Sequence, residues 1–351
     1  RVCSPVRIQP YSSPAALPLP SAPAHSTIPG VPTIPMFNPP LAHPNAAHDI
    51  YAPGGYEWWH FAAIDPLQQL TILATFYRGY ILDRQYLRQY RRYLRQPTRR
   101  KPPAPADFPC LALRVLSTDS QRPLNITERA TGPLHLTSSP LHFALNANVF
   151  SQHDDGAYHL HLHSQGREGF TADLTFTPSF PHPPLTNILT PGAGEHRWIA
   201  AAPNCAVRGS ISIPSSNISF SGFGYHDHHV GTRPIALGNG SFTLARAITP
   251  SRALAFCRLT GPQNSPSTLV ESDALSLRSA PALSHRDWIT RVHRTSDIRI
   301  EQLTLLSRNR YSAHFEYDAT LEGQPARALC DVIAPAPAGG QLLADILAPS
   351  A

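Results

Sequence analysis

The sequence contains no run approaching 18 consecutive apolar residues, so no membrane-spanning helix is expected. Its five cysteines, Cys3, Cys110, Cys205, Cys257 and Cys330, stand far apart and form no CxxC pair. That excludes a zinc ribbon or a thioredoxin-type redox site. An odd count leaves at least one thiol unpaired within a monomer, and Cys110, Cys257 and Cys330 sit in apolar runs, as buried inert thiols do. Long helical patterns alternating with strands are also missing, which counts against an α/β fold. Net positive charge is confined to one segment. Nine basic residues and one acid, Asp83, fall between Arg78 and Lys101, while the whole chain carries only +6. The remainder is therefore slightly acidic, and no nucleic-acid partner is expected.

What is present is a 351-residue chain, 42% apolar, with 38 prolines, 13 of them at or before Pro53. The prolines mark residues 1–45 as an extended arm. Two β domains are expected after it, over 46–204 and 205–351. Short strand-like runs separated by Pro and Gly punctuation support this: Gln69–Tyr77, Cys110–Leu116, Leu141–Phe150, Ala157–His163 and Phe170–Thr177 in the first, then Cys205–Ile213, Ser216–Phe220, Ser241–Thr249, Arg252–Leu259, Ile298–Leu306, Tyr311–Ala319 and Ala328–Ile333. Such a pattern is that of barrels or sandwiches. The chain starts at Arg1 rather than Met and carries sequons at Asn125, Asn217 and Asn239. These features lean towards a secretory route or the membrane periphery.

One segment breaks the β pattern. Gly79–Gln96 places Leu82, Tyr86 and Tyr90 at four-residue intervals, continued by Tyr93 and Leu94, with five arginines opposite and Pro97 at its end. This predicts an amphipathic helix that either packs its tyrosines on the barrel or lies on an anionic membrane surface.

The densest chemistry lies in Tyr225-His226-Asp227-His228-His229, bracketed by Gly222, Gly224 and Gly231. Five adjacent polar tips need partners if buried. A satisfied structural network, a metal site and an acid held among imidazoles and rings all fit. Alternation along a strand lets only His226 with His228, or Asp227 with His229, converge; a metal would need a third ligand such as His196 or His60. In the acid reading, burial raises the Asp227 pKa and a neighbouring cation lowers it. A second cluster, Glu195-His196-Arg197-Trp198, puts His196 and Trp198 on one strand face, and Tyr56 with Trp58 and Glu57 with Trp59 behave likewise. In Tyr158–His163 the better reading is a buried Tyr158, Leu160 and Leu162 face, with the histidines outside.

The segments GGYEWWHF (54–61), His196-Arg197-Trp198 with Ala202-Pro203, and Phe223–Gly231 occur in an order that resembles the carotenoid 1,2-hydratase (hydroxyneurosporene synthase) family. That family belongs to the AttH-like, lipocalin-like superfamily, which includes fungal pericyclases. The resemblance implies an all-β fold of two lipocalin-like domains with a ligand pocket near their junction. It also implies a hydratase that adds water to a terminal C=C of a hydrophobic polyene without an external cofactor or metal. Carried over by resemblance, Asp227 is the proton donor, Tyr225 and Trp198 flank the cation, and His196 tunes the acid or orients water. Tyr56, Trp58, Trp59, His226 and His228 line the substrate. A pericyclase of a polyene natural product and a carrier of a hydrophobic ligand are the alternatives. Two positions depart from the family pattern: His229-Val230 stands in place of Asn-Trp, and His60 in place of a tyrosine.

Overall fold

A computed structural model describes residues 44–117, 124–164, 169–189, 195–213, 216–235, 240–260, 267–282, 286–297, 299–307 and 310–335. The Pro-rich arm, apart from residues 44 and 45, and the Asn239 sequon lie outside them, whereas Asn125 and Asn217 are exposed on strands.

Twelve strands form one antiparallel sheet: β1 (Tyr56–Asp65), β2 (Leu70–Arg78), β3 (Pro109–Ser117), β4 (Leu124–Arg129), β5 (His135–Ser138), β6 (Leu141–Leu145), β7 (Asn148–Gln152), β8 (Tyr158–Ser164), β9 (Phe170–Pro178), β10 (Leu185–Leu189), β11 (His196–Ile213) and β12 (Ser216–Gly231). Their order is β4-β3-β2-β1-β12-β11-β9-β8-β7-β6-β5, with β10 pairing the first part of β11. Eight strands form the second sheet: β13 (Phe242–Ile248), β14 (Ala253–Leu259), β15 (Ser267–Ser272), β16 (Leu277–Pro281), β17 (Val292–Arg294), β18 (Arg299–Ser307), β19 (Arg310–Leu321) and β20 (Gln324–Pro335). They run β16-β15-β14-β13-β20-β19-β17, with β18 also on β19.

The expected division at 204/205 falls inside β11. The β11–β12 hairpin belongs wholly to the first sheet, and the chain passes to the second sheet between Gly231 and Phe242. Two other expectations change for local reasons. Leu141–Phe150 is two strands, because Asn146 adopts φ +54° at the turn between them; asparagine tolerates this left-handed backbone better than most residues. The helix α1 covers Arg84–Arg95 rather than starting at Gly79, since Asp83 caps it by accepting from the amides of Gln85 and Tyr86.

Side-chain alternation sorts the strands into three packed layers. Trp59, Phe61 and Ala63 of β1 join Phe76, Phe143, Phe150, Leu160, Phe176 and Val207 in a core to which nearly every strand of the first sheet contributes, so the sheet curls around it. The opposite side of β1, β2, β11 and β12, carrying Tyr56, Trp58, Ala62, Leu73, Trp198 and Tyr225, packs on Phe242, Leu244, Cys257, Leu329 and Ile333 of the second sheet. The far side of the second sheet buries Phe256, Trp288, Phe315 and Cys330. Cys110, Cys205, Cys257 and Cys330 are free and buried. Tyr158, Leu160 and Leu162 are buried while His159 and His161 are exposed, as alternation requires.

In α1, Tyr86, Leu87 and Tyr90 are buried against the body, and the Tyr86 hydroxyl donates to the Gly55 carbonyl. Gly54, at φ +76°, leaves the space that Tyr90 fills: a Cβ there would meet the ring at 2.5 Å. Of the expected stripe, Tyr86 and Tyr90 are spent on the protein, Tyr93 is half-buried and Leu94 is exposed, and Arg84, Arg88, Arg91, Arg92 and Arg95 face outward. Among the described residues no helix is long and apolar enough to cross a membrane.

Candidate active site at the junction of the two sheets

The site is built on the pairing of β1 with β12, which sets Trp58 opposite His229, Trp59 opposite His228, His60 opposite Asp227 and Phe61 opposite His226. Directly opposed residues share a face, so the histidine-rich segment is divided between two environments. Tyr225, Asp227 and His229 meet the second sheet, whereas His226 and His228 enter the core of the first.

On the junction face a polar chain crosses the strands. The Tyr56 hydroxyl is 2.6 Å from His196 Nδ1, His196 Nε2 is 3.0 Å from His229 Nδ1, and His229 Nε2 is 3.3 Å from Asp227 Oδ1. The last approach lacks hydrogen-bond geometry, as His229 Nε2 and Asp227 Oδ1 are both buried without a hydrogen-bond partner among the described residues. The Tyr56 hydroxyl, His196 and His229 form the hydrogen-bonded part of the chain. Burial keeps both imidazoles neutral by pushing their pKa values below the ordinary range. The other carboxylate oxygen, Oδ2, accepts from Trp198 Nε1 at 3.3 Å and from Arg246 Nε at 3.2 Å.

Arg246 comes from β13 and is almost fully buried. Its Nη1 donates to Asp331 Oδ2 of β20 at 2.9 Å, and its guanidinium lies 5.2 Å above the Tyr225 ring, within cation–π range. Asp331 Oδ1 in turn lies 2.9 Å from His314 Nδ1 and 3.9 Å from Arg114. Arg246 is therefore a cation bracketed by two carboxylates. This decides the charge of Asp227. Burial by itself would raise its pKa, but the Arg246 guanidinium, with His229, holds the carboxyl well below the ordinary range. The expected proton donor is ionised in this arrangement.

A cleft of about 60 Å³ opens beside this array, lined by Trp58, Leu73, Ile81, Leu82, Phe242 and Leu244 on its apolar part and by His60, Thr75, Tyr77, Arg114, Arg246, Ser312 and Asp331 on its polar part. Asp227 is not among the lining residues; Arg246 connects it to the cleft.

Of the residues expected at the site, Tyr56, Trp58, His196, Trp198, Tyr225 and Asp227 come together on the junction face. Trp59, His226 and His228 do not, because strand alternation turns them the other way. Trp59 stacks on His228 at 4.6 Å and Phe61 on His226 at 4.0 Å, inside the first sheet. There Asn45 donates to the Tyr158 hydroxyl at 2.9 Å and reaches His226 Nε2 at 3.1 Å. Beside them, His48 Nδ1, Glu57 Oε1 and His228 Nε2 lie within 4.8 Å of one another, close enough to hold a metal ion. The contacts fit a structural network better. Glu57 Oε1 already receives the His48 amide, His48 Nδ1 and His228 Nε2 at 2.9–3.0 Å, and Arg78 sits 2.6 Å from Oε2. Arg246 and Asp331 were not foreseen from the sequence. Their signal was a charge in the middle of an apolar strand, in FTLARAI and in ALCDVIA, where an unpaired ion would be prohibitive.

No family model matches the chain. Over 203 residues it is 25% identical to a hydroxyneurosporene dehydrogenase of Chlorobaculum tepidum, a match covering 54% of this chain and 53% of that protein, so the chain spans about half the length of that curated relative. An AttH protein of Nitrosomonas europaea is similar in structure at a TM-score of 0.54 and 15% identity, over 86% of this chain and 98% of that one. CghA with Sch210972 gives 0.55 at 13% identity over 81% and 89%, and kievitone hydratase of Nectria haematococca gives 0.50 at 11% over 80% and 89%. The chain therefore shares the fold of these solved structures, two curled antiparallel sheets of lipocalin-like type.

Proposed function

We propose that the junction face is the active face of a cofactor-independent, hydratase-like enzyme acting on an unsaturated, largely apolar small molecule. The observation that carries this reading is the dry Asp227 carboxyl held among Trp198, Tyr225, His229 and Arg246. Such a site can stabilise positive charge on a bound carbon skeleton through ring faces and a fixed carboxylate. Proton donation by Asp227 requires its neutral form. Arg246 has a second carboxylate within reach, and with its hydrogen bonds moved wholly to Asp331 the strongest group holding Asp227 ionised is weakened, which lets burial act towards the protonated acid. Asp227, Tyr225 and Trp198 do not line the cleft, so the same movement of Arg246 has to open the cleft to them. Asp227 then protonates the double bond, Tyr225 and Trp198 face the cation, and the His196–His229 pair orients the attacking water. The proton that water gives up returns to the Asp227 carboxylate. The fold shared with a kievitone hydratase supports a hydrating rather than a purely binding role.

A second reading is favoured by the ionised resting state of Asp227. Ring closure of a polyene needs a shaped pocket and hydrogen-bond donors, not a strong acid. Incubation with acyclic polyenes in 18O-labelled water separates these. Hydration predicts labelled product, with Asp227→Asn lowering turnover by about 10²-fold or more while ligand binding persists. Cyclisation predicts an unlabelled isomer and a modest effect of Asp227→Asn. Stoichiometric binding without any product would leave a carrier.

A further inference from the structure

In the polar half of the cleft, His60 and Thr75 have no part in the proposed reaction. His60 is 5% exposed, and its Nδ1 is 2.8 Å from Thr75 Oγ1. Its Nε2 is buried without a hydrogen-bond partner among the described residues, on a ring that lines the cleft. Burial and the nearby Arg246 hold this imidazole neutral, at about 3, so Nε2 can either donate or accept. Arg246 and Asp331 line the same space. A bare hydrocarbon seated there would strip water from an orphaned imidazole nitrogen and from an ion pair and return no hydrogen bond to either, an uncompensated cost. An oxygen on the ligand removes that cost.

We propose that His60 and Arg246 form a recognition site for an oxygen-bearing head group, a carbonyl, enolate or carboxylate, on an otherwise apolar unsaturated ligand. This rests on the cleft being the substrate site, and at about 60 Å³ the cleft takes the head group alone, so the hydrocarbon tail requires the contact between the sheets to widen. Recognition of this kind couples binding to the site chemistry. A ligand oxygen accepting from Arg246 competes for hydrogens that Asp227 and Asp331 now receive.

The test is a matched pair of acyclic ten-carbon isoprenoids, geranic acid and the hydrocarbon myrcene, titrated by quenching of tryptophan fluorescence. Geranic acid is expected to bind at least about tenfold tighter. That ratio should shrink towards one in His60→Phe, which removes the ring nitrogen without stranding a charge. Arg246→Gln is the second variant, and circular dichroism establishes that each is folded. Equal affinity for the two ligands in the unaltered protein overturns the inference and leaves the proposed function standing. So does a preference that survives in both folded variants. Failure of both ligands to bind overturns the inference together with the reading of the cleft as the substrate site.

Discussion

Trp58 and Trp59 are neighbours in the chain and belong to different chemical environments. Trp58 stacks on His229 at 4.5 Å at the junction of the two sheets, and Trp59 stacks on His228 at 4.6 Å within the first. The same two-residue period divides Asp227 from its flanking histidines. Every functional statement about the segment depends on which side of the sheet a residue takes.

Arg246→Met leaves the Asp227 charge buried without its guanidinium. A loss of about 3–5 kcal/mol in unfolding free energy is expected, as for other broken buried ion pairs. The double variant Arg246→Met/Asp227→Asn should recover much of it, because the stranded charge is gone. Urea denaturation of the four proteins in this cycle measures the coupling directly. Additive losses would mean that the two side chains do not share an ion pair in solution.

Acid should weaken the fold earlier than carboxylate titration alone would. Burial holds His60 and His226 at about 3 and His228 at about 4, against an ordinary 6.5. Below about pH 6.5 the unfolded chain takes up protons that these folded imidazoles refuse. Stability is therefore lost as pH falls from about 6.5 towards 4, by about 1.4 kcal/mol per pH unit for each such histidine. The depressed Glu57 and Asp227 carboxyls add a loss in the same direction below their own unfolded values. Denaturation midpoints at pH 7.5, 6.0 and 5.0 should decline steadily. A flat profile would mean that the imidazoles are charged in the native protein.

Gly231→Ala should damage the site through Tyr56. A Cβ at Gly231 would lie 2.2–2.6 Å from the Tyr56 ring and hydroxyl, so the ring must move and its 2.6 Å contact with His196 is lost. Turnover should fall severalfold with a stability loss of about 1–3 kcal/mol. Tyr56→Phe serves as the comparison, since it removes the hydroxyl without the clash. If Gly231→Ala behaves as the parent in both respects, the Tyr56–His196 contact is not part of the working site.

These sites were legible in the sequence to different depths. Alternation alone permitted Asp227 to converge with His229, which it does at 3.3 Å, and set His226 and His228 on one face, where they take different partners, Asn45 and Glu57. Placing His226, His228 and Trp59 with the ligand ignored the consequence of that alternation. His196 and Trp198 reach Asp227 because β11 pairs β12, a non-local fact with no local signature beyond their shared strand face. Arg246 and Asp331 sit in strands that read as ordinary apolar segments. Only the docking of the second sheet explains why a charge is tolerated there.

The arginines of α1 carry a separate expectation. With Tyr86 and Tyr90 packed inward and only Leu94 of the apolar stripe exposed, attraction to an anionic bilayer is expected to be chiefly electrostatic rather than by insertion of an apolar face. Vesicles containing phosphatidylserine should retain the protein at low salt and release it at high salt. Replacing Arg88, Arg91, Arg92 and Arg95 by glutamine should abolish retention with little change in thermal stability. Salt-insensitive retention, or none, would remove the membrane from the account.

Because the guanidinium that governs Asp227 is delivered by β13 and its competing carboxylate by β20, reactivity and scaffold have separate custodians. Changes along those two strands can retune acidity or the chemical partner without disturbing the register that aligns tryptophans with histidines. A lineage could diversify its chemistry from one wall while the opposite wall stays as it is.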